Sequence, residues 1–147
     1  MSEDEEQQAL AERVVSTMMA KDAFSQWLGI DVVDIRPNGA TVRMTVREEM
    51  VNGFGVCHGG IAFSLADSAL AFASNTHGRL TVSIENSITY PKAISPGDLL
   101  IAHAEEESAT NRLGFFRVTV RRADEEIVAL FRGTVYKTHK AHFEESE

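Results

Sequence analysis

The spacing of hydrophobic and polar positions changes along the chain, and each spacing predicts a different kind of element. Apolar residues recur at helical intervals between Glu5 and Lys21, which predicts an amphipathic helix. A shorter helix is predicted over Asp22–Leu28, with Asp22 as its N-cap and Gly29 at its end. Beyond it, apolar and polar residues alternate, as they do on strands with one buried face.

Two strands are predicted before a long apolar segment and three or four after it. They are Ile30–Arg36, Ala40–Arg47, Leu80–Tyr90, Asp98–Glu107, Arg112–Arg122 and Glu126–Thr138. Pro37-Asn38-Gly39 predicts a hairpin between the first two strands, and the short turns among the later ones predict a meander. Helices followed by strands in this order indicate an α+β domain.

The segment between the two groups of strands, Gly59–Thr76, consists almost wholly of small and apolar residues. This composition predicts one helix without a polar face, which must be buried on all sides. We expect an antiparallel sheet curled around the helix to cover one side and a partner subunit to cover the other.

Asp67 is the only charged residue of this predicted helix. A carboxylate in such a place is paired, kept neutral or used in chemistry. No Lys or Arg lies within four residues, so an ion pair along the helix is excluded. Two interpretations stay open, a structural pair with a distant arginine such as Arg43 or Arg132, and a catalytic role as general base or nucleophile.

The sequence His58-Gly59-Gly60 opens the same helix. A helix N-terminus presents unpaired N–H groups and the positive end of the helix dipole, and two glycines let a ligand approach closely. This arrangement suits an oxygen that gains negative charge, such as a carbonyl under attack, although a tight corner is the simpler interpretation. Because Asp67 follows in the same helix, we favour an active site.

Two residues beside this corner are open to more than one interpretation. Asn52 would orient a water molecule or cap a turn, since Asn-Gly is a common turn pair. His58 would act as a hydrogen-bond donor near a leaving group or as a turn histidine.

Gly59 and Asp67 are eight residues apart, about 12 Å along one helix. If the two cooperate, Gly59 of one subunit must meet Asp67 of another, which requires an obligate dimer with two shared sites.

Composition narrows the class of protein. The chain has 147 residues, 44% of them hydrophobic and 24% charged, as in one globular domain with a core. Its net charge of -8 comes largely from acids near the two ends, so it says little about a ligand but argues against nonspecific nucleic-acid binding. We expect no membrane span and no signal peptide, and the single cysteine suits a reducing, cytoplasmic location.

No cofactor or metal is expected. Gly53-x-Gly55-x-x-His58 lacks the third glycine and the context of a dinucleotide fingerprint, and there is no Gly-Lys-Ser/Thr phosphate loop. Among the five histidines only His139-x-x-His142 has metal-like spacing, and this pair stands beside the charged C-terminus.

Several motifs together resemble those of the hotdog-fold acyl-CoA thioesterases, most closely the phenylacetic-acid-degradation (PaaI) type. The motifs are Asn52-Gly53, His58-Gly59-Gly60, Phe63-Ser64-Leu65-Ala66-Asp67 and Ala129-Leu130-Phe131-Arg132-Gly133. The resemblance runs from about Phe24 to Lys137. It implies a curled antiparallel sheet around one long buried central helix, in one domain over residues 1–147. An acidic helical extension would form residues 1–23, and a frayed tail would form residues 141–147.

The resemblance also implies an activity, the hydrolysis of an acyl-CoA to a free acid and coenzyme A. Asp67 would be the catalytic carboxylate, and Gly59 would donate its N–H to the thioester carbonyl, with Gly60 close by. Asn52 would position the attacking water, and His58 would stand near the thioester. Two such subunits would pair into one continuous sheet with shared active sites, and dimers would often associate into tetramers.

Weaker parts of the resemblance concern the substrate. Ser83 stands where related enzymes place a water-orienting hydroxyl. The residues expected to bind coenzyme A are Arg112, Lys137 and Lys140. The acyl group would be phenylacetyl or ring-hydroxylated phenylacetyl, in a pocket with candidate lining residues Phe72, Phe115, Phe116 and Phe131.

Two alternative functions remain. One is an enoyl hydratase or dehydratase that pairs His58 with Asp67, and the other is a sensor that binds acyl-CoA without catalysis.

Overall fold

The computed structural model describes residues 1–144 and contains three α-helices and six strands within that range. The helices are α1 (Glu3–Lys21), α2 (Ala23–Leu28) and α3 (Gly59–Asn75). The strands are β1 (Asp31–Arg36), β2 (Gly39–Thr45), β3 (Arg79–Thr89), β4 (Leu99–Ala109), β5 (Leu113–Arg122) and β6 (Ile127–Ala141). Each predicted element is present, and a 3-10 turn at Glu48–Met50 was not predicted.

All six strands form one antiparallel sheet in the order β1-β2-β4-β5-β6-β3. The predicted hairpin joins β1 to β2, where Asn38 takes a positive φ of 62°. The predicted meander is wrong for β3, which lies at the far edge beside β6 and not beside β4. The reason is that α3 crosses the sheet, so the chain re-enters at the opposite edge, and residues 90–98 return it to β4.

The concave face of the sheet holds α3, as expected for a curled sheet around a central helix. The strands alternate buried and exposed residues, and the buried ones point toward α3. Fully buried members of this core include Val42, Leu100, Ala102, Val118 and Val120. On α3, Ala62, Leu65, Ala66, Ala69 and Phe72 are completely buried against them. Small residues on α3 let the helix lie close to the strands.

The two N-terminal helices are capped as the sequence predicts. Asp22 ends α1 and begins α2, where its carboxylate accepts a hydrogen bond from the Ser25 backbone N–H at 2.9 Å. Gly29 ends α2 in the left-handed conformation with φ 78°. The acidic extension is α1, and it packs on the domain through the buried residues Ala11, Val14 and Val15.

The C-terminal segment is tied to the fold further than predicted. Ala141 is still part of β6, and the His142 backbone N–H donates to the Gly78 carbonyl at 2.8 Å. The Arg13 guanidinium lies 3.7 Å from the centre of the Phe143 ring. The predicted frayed tail therefore does not begin at residue 141, and its last part, residues 145–147, lies outside the described residues.

Candidate active site

The N-terminal end of α3 leaves one backbone N–H group unused. His58 is the N-cap residue, and its Nδ1 accepts a hydrogen bond from the Gly60 N–H at 2.9 Å. The Ile61 N–H donates to the His58 carbonyl at 2.9 Å. In residues 1–144 the Gly59 N–H has no acceptor. This group lies at the positive end of the α3 dipole and is able to donate to a ligand oxygen.

The capping bond also fixes the state of the His58 ring. A nitrogen that accepts from a backbone N–H carries no proton, so the neutral imidazole holds its proton on Nε2. The Gly60 N–H, in turn, is already used by the cap. Of the two glycines, only Gly59 has an N–H available to a substrate oxygen.

Both glycines have a side-chain atom close to their Cα. Tyr90, at the end of β3, donates from its hydroxyl to the Gly59 carbonyl at 2.7 Å. A Cβ on Gly59 would lie 3.1 Å from the Tyr90 hydroxyl oxygen, and a Cβ on Gly60 would lie 3.1 Å from His58 Nδ1. Tyr90 holds the corner in place but was not predicted as a site residue. No local pattern marks it, since the contact spans 31 positions.

Asp67 lies half-buried on α3 without a partner. No hydrogen bond or ion pair to its carboxylate is formed by residues 1–144. Burial raises the pKa of the Asp67 carboxyl above its ordinary value, and the nearby Asp22 carboxylate raises it further. Within residues 1–144 neither candidate arginine pairs with Asp67, because Arg43 Nε lies 3.7 Å from Asp31 Oδ2 and Arg132 Nη1 lies 3.6 Å from Glu107 Oε1.

Asp67 belongs to a stripe of α3 that the sheet does not cover. The partly exposed members of this stripe follow helical spacing and are Gly60, Ile61, Ser64, Asp67 and Ala71. The sheet covers the other faces of α3 as predicted, and this stripe is the side for which a partner subunit was predicted as the cover. The stripe and the edge strand β3 leave apolar surface open, including Val82 and Ile84, which are 46% and 59% exposed.

Within one chain the two candidate catalytic groups are far apart. Gly59 and Asp67 lie on the same continuous helix, so their separation is the expected 12 Å or so along its axis. The groups cannot touch one reacting atom unless a second subunit supplies one of them.

Asn52 holds the loop that leads to α3. Its Oδ1 accepts from the backbone N–H groups of Phe54 and Val56, at 2.9 and 3.4 Å. These donors identify the acceptor atom as the oxygen, so the NH2 group points elsewhere. That NH2 group has no partner in the part of the chain described. Asn52 is therefore a turn residue with a donor left over.

Cys57 is a free, buried cysteine next to His58. Its side chain is buried, and burial raises the pKa of the thiol to about 11, with a smaller effect from the Asp98 carboxylate. The thiol stays protonated near neutral pH and packs in the core.

Ser83 lies on the edge strand β3, away from the Gly59 corner in sequence. Its hydroxyl donates to Asn86 Oδ1 at 2.8 Å and its side chain is exposed. The bond spans the change of register between Ser83 and Glu85 in the pairing of β3 with β6. Within residues 1–144, no hydrogen bond joins Ser83 to Gly59 or Asp67.

The three candidate coenzyme A residues lie near one another at one end of the sheet. The Lys137 backbone N–H donates to the Arg112 carbonyl at 2.8 Å, and Lys140 follows three positions later on β6. Arg112 also donates to the Tyr136 hydroxyl at 3.1 Å. This end of the sheet is next to the C-terminal end of α3, roughly 25 Å from Gly59 along the helix.

Two concave surfaces adjoin the Gly59 corner. A cavity of about 190 Å³ is lined by Val56, Cys57, His58, Gly59, Ala62, Tyr90, Lys92, Ala93 and Ile94. A groove of about 380 Å³ lies on the other side of His58, and we name it the aromatic groove. Its lining residues are Phe24, Trp27, Glu49, Met50, Val51, His58, Gly60, Ile61 and Ser64.

The phenylalanines expected to line a pocket do not do so. Phe72, Phe116 and Phe131 are fully buried in the core. Phe115 faces the other side of β5 from Phe116. Instead, Phe24 and Trp27 of α2 line the aromatic groove beside the site, and neither was predicted as a site residue.

No group of three or more metal-ligating side chains with suitable geometry occurs in residues 1–144. In the same range, none of the helices has the length and apolar character needed to cross a membrane.

Comparison with known families and proteins agrees with this architecture. The model of the thioesterase superfamily matches residues 54–129, just over half of the chain. The chain therefore belongs to the thioesterase superfamily, and its six-stranded sheet around α3 is the hotdog fold of that family.

Individual relatives cover most of the chain. A putative esterase of Archaeoglobus fulgidus is 40% identical over 89% of this chain and 85% of that protein. The acyl-coenzyme A thioesterase PaaI of Escherichia coli is 37% identical over 84% of this chain and 86% of that protein. The structure of E. coli PaaI, from the phenylacetic acid degradation operon, matches with a TM-score of 0.89 at 33% identity, over 91% of this chain and 97% of that one.

A further solved structure carries a ligand. A Streptococcus mutans protein bound to acetyl-CoA matches with a TM-score of 0.73 at 27% identity, over 76% of this chain and 90% of that one.

Proposed function

We infer that the chain hydrolyses acyl-CoA thioesters to a free acid and coenzyme A. The observation that carries this inference is that the chain presents two free groups, the N–H of Gly59 without an acceptor and the half-buried carboxylate of Asp67 without a partner, among residues 1–144. The first group suits a carbonyl oxygen that becomes negative, and the second suits a proton acceptor or nucleophile. The family and its acyl-CoA thioesterase relatives support the same activity.

The reaction begins with polarisation of the thioester carbonyl by the Gly59 N–H. In one course, Asp67 takes a proton from water while the water oxygen bonds to the carbonyl carbon, and the C–S bond then breaks to release the thiolate. In the other course, the Asp67 carboxylate attacks the carbon itself, expels the thiolate and forms a mixed anhydride that water cleaves. The Asn52 NH2 group and the His58 Nε2–H are donors for the water and the leaving group.

The site is shared between two subunits, in our proposal. Gly59 of one subunit would face Asp67 of its partner, because the two are too far apart within one chain. The exposed stripe of α3 and the unpaired edge of β3 give the surface for such a dimer. Pairing of the β3 edges would extend the sheet across the dimer and cover Val82 and Ile84.

Mixing two inactive variants tests the shared site. Asp67→Asn removes the carboxylate, and Gly59→Pro removes the N–H at a helix position that accepts proline. A mixed dimer holds one intact site if the sites are shared, so remixed subunits should regain roughly a quarter of the native activity. No recovery, after proof by mass spectrometry that mixed dimers form, would place each site within one chain.

We further propose a homotetramer made of two such dimers. Arg112, Lys137 and Lys140 would contact the phosphates of coenzyme A from a subunit other than the one that supplies Gly59. The distance along α3 supports this assignment, since these residues stand at its opposite end. Sedimentation of the native protein, with and without coenzyme A, measures the assembly.

The acyl group is, in our proposal, phenylacetyl or ring-hydroxylated phenylacetyl, which would place the enzyme in phenylacetate degradation. The likeness to E. coli PaaI and the aromatic side chains beside the site support this substrate. We also propose a cytoplasmic location, since the single cysteine suits a reducing compartment.

The deciding experiment measures free-thiol release from aromatic and aliphatic acyl-CoAs by the native protein and Asp67→Asn side by side. We expect release by the native protein and a loss of about 100-fold or more in the variant, as for removal of a general base or nucleophile. Asp124→Asn, at an exposed turn acid paired with Arg122, is the control and should keep native turnover. No release from any thioester, with binding intact, would instead support a hydratase or a sensor.

A further inference from the structure

Two aromatic side chains of α2 remain exposed beside the active site. Phe24 is 53% exposed and Trp27 is 50% exposed. Their rings lie nearly parallel, with an angle of 10° between the planes and 6.0 Å between the centroids. Two large exposed rings side by side form an apolar surface of the kind that binds a ligand or partner.

The aromatic groove joins this surface to the catalytic corner. His58 and Gly60 line the groove and also belong to the turn that presents the Gly59 N–H. Ser64 lines it as well, on the same stripe of α3 as Asp67. A thioester whose carbonyl accepts from Gly59 would therefore have this groove next to its carbonyl carbon. The volume of about 380 Å³ accommodates a ring of six carbons with its substituents.

The groove holds no unpaired charge. Glu49 is its only charged lining residue, and its carboxylate lies 2.7 Å from Arg47 Nε. Arg47 uses its other nitrogens on the carbonyls of Trp27 and Leu28, at 2.7 and 3.1 Å. The occupant that fits such a surface is uncharged and apolar, which suits an acyl group and excludes the phosphates of coenzyme A.

The two rings are held on a fixed element. The Ser25 hydroxyl of α2 forms a buried hydrogen bond of 2.8 Å to the Ser68 hydroxyl of α3, and also donates to Asp22 at 2.5 Å. Arg47 attaches the other end of α2 through the two carbonyls and lies 4.9 Å from the centre of the Trp27 ring. Because α2 is tied at both ends, its rings are positioned before a ligand arrives.

We propose that the aromatic groove is the acyl subsite, and that Phe24 and Trp27 select aromatic acyl groups by stacking against the ring of the substrate. This inference rests on the proposed thioesterase function and deepens it, because it names the side chains that set the substrate class. Flat rings favour an aromatic acyl group over a flexible alkyl chain, since stacked rings gain more than their buried area alone.

The first test compares turnover of two substrates, phenylacetyl-CoA and acetyl-CoA. Trp27→Ala should lower kcat/KM for phenylacetyl-CoA about tenfold and leave that for acetyl-CoA within about twofold, since the short group does not reach the rings. Trp27→Phe keeps an aromatic ring at this position and should keep most of the native kcat/KM for phenylacetyl-CoA. Phe143→Ala is the matched control, because Phe143 is also an aromatic residue under an arginine, yet far from the groove. Equal losses for both substrates, or none, would overturn the proposal.

The second test needs no turnover. Trp27 is the only tryptophan of the chain, so its fluorescence reports on the groove directly. In the Asp67→Asn variant, phenylacetyl-CoA should change the emission, whereas coenzyme A alone and hexanoyl-CoA should change it much less. A change without hydrolysis by the native protein would support the groove and refute the thioesterase function. Hydrolysis with equal responses to phenylacetyl-CoA and hexanoyl-CoA would refute the aromatic preference alone.

Discussion

The two ends of α3 carry similar kinds of polar groups and use them in opposite ways. At the C-terminal end, Asn75 forms four side-chain hydrogen bonds within the chain, to Ala71, to both backbone groups of Thr81 and to His142. The Thr76 hydroxyl donates to Ala73 and accepts from Asn38, which joins the helix to the β1–β2 turn. In contrast, the Gly59 N–H at the N-terminal end and the Asp67 carboxylate midway along the helix have no such partners in residues 1–144.

The comparison separates structure from function on one helix. Buried polar groups that are fully bonded fix the fold, and losing a partner there is expensive. Polar groups left unpaired at a helix terminus and on an open stripe are available to a ligand. Mutations at the C-terminal end should therefore change stability more than catalysis, and mutations at the N-terminal end should do the reverse.

The largest expected effect is that of Gly59→Pro on catalysis. Proline keeps the helical backbone at the first position but lacks the N–H, so kcat should fall by about 100- to 1,000-fold, as when an oxyanion donor is lost. Gly59→Ala is the matched control, because it adds the same Cβ near Tyr90 and keeps the N–H. Thiol release measures both variants. Equal activities in the two would mean that the Gly59 N–H has no role.

The next effect is on stability, at the other end of α3. Asn75→Ala leaves buried backbone groups of Thr81 without partners, so the free energy of unfolding should fall by about 2–4 kcal/mol. Urea unfolding measures this loss, while the folded variant should keep its kcat. Ser74→Ala, in the same turn, removes only a long 3.4 Å bond to Ala71 and should change stability by less than about 0.5 kcal/mol. A large loss of kcat in folded Asn75→Ala would break the division between the two ends.

A smaller effect is expected for Tyr90→Phe, which removes the hydroxyl that donates to the Gly59 carbonyl. Without this bond the turn that carries the Gly59 N–H is held less firmly, so kcat should fall about tenfold. A tenfold fall corresponds to about 1.4 kcal/mol of activation free energy, which is the size of one hydrogen bond. Tyr136→Phe is the matched variant, since Tyr136 is the only other tyrosine and its hydroxyl accepts from Arg112. Steady-state kinetics should show no change in kcat for Tyr136→Phe. The same kcat for both variants would remove Tyr90 from the site.

The smallest effect concerns His77, which follows the C-terminal end of α3. Unlike Asn75 and Thr76, it does not have all of its polar side-chain atoms hydrogen-bonded within residues 1–144. Its Nε2 is buried without a partner among residues 1–144, and burial, followed by Lys137 and Arg79, lowers the pKa of His77 from 6.5 to about 4. The unfolded chain therefore binds a proton more readily than the folded one between these pH values. Stability should be full above pH 6.5 and should fall as the pH drops toward about 4.

The check is a series of melting temperatures over that pH range for the native protein and His77→Gln. The glutamine side chain at position 77 does not bind a proton in this pH range, so the melting temperature of the variant should fall less steeply on acidification than that of the native protein. His103→Gln, at an exposed histidine hydrogen-bonded to Thr41, should keep the native slope. Parallel slopes in all three proteins would exclude His77 as the source.

The sequence determined the elements of this protein, because helical and strand periods are local properties. The spacing of apolar residues predicted α1, α3 and the strands within a few positions, and the cap residues Asp22 and Gly29 fixed the limits of α2. The isolated charge of Asp67 and the run His58-Gly59-Gly60 marked the candidate site for the same reason, since each departs from its local pattern.

Only the tertiary structure decided which distant groups meet. The position of β3 at the sheet edge follows from how α3 crosses the sheet, and the local pattern of β3 does not contain that information. Tyr90 on Gly59 and His142 on Asn75 are contacts over 31 and 67 positions, and α2 places Phe24 and Trp27 beside His58. Such contacts depend on the packing of whole elements, so no periodicity in the sequence signals them.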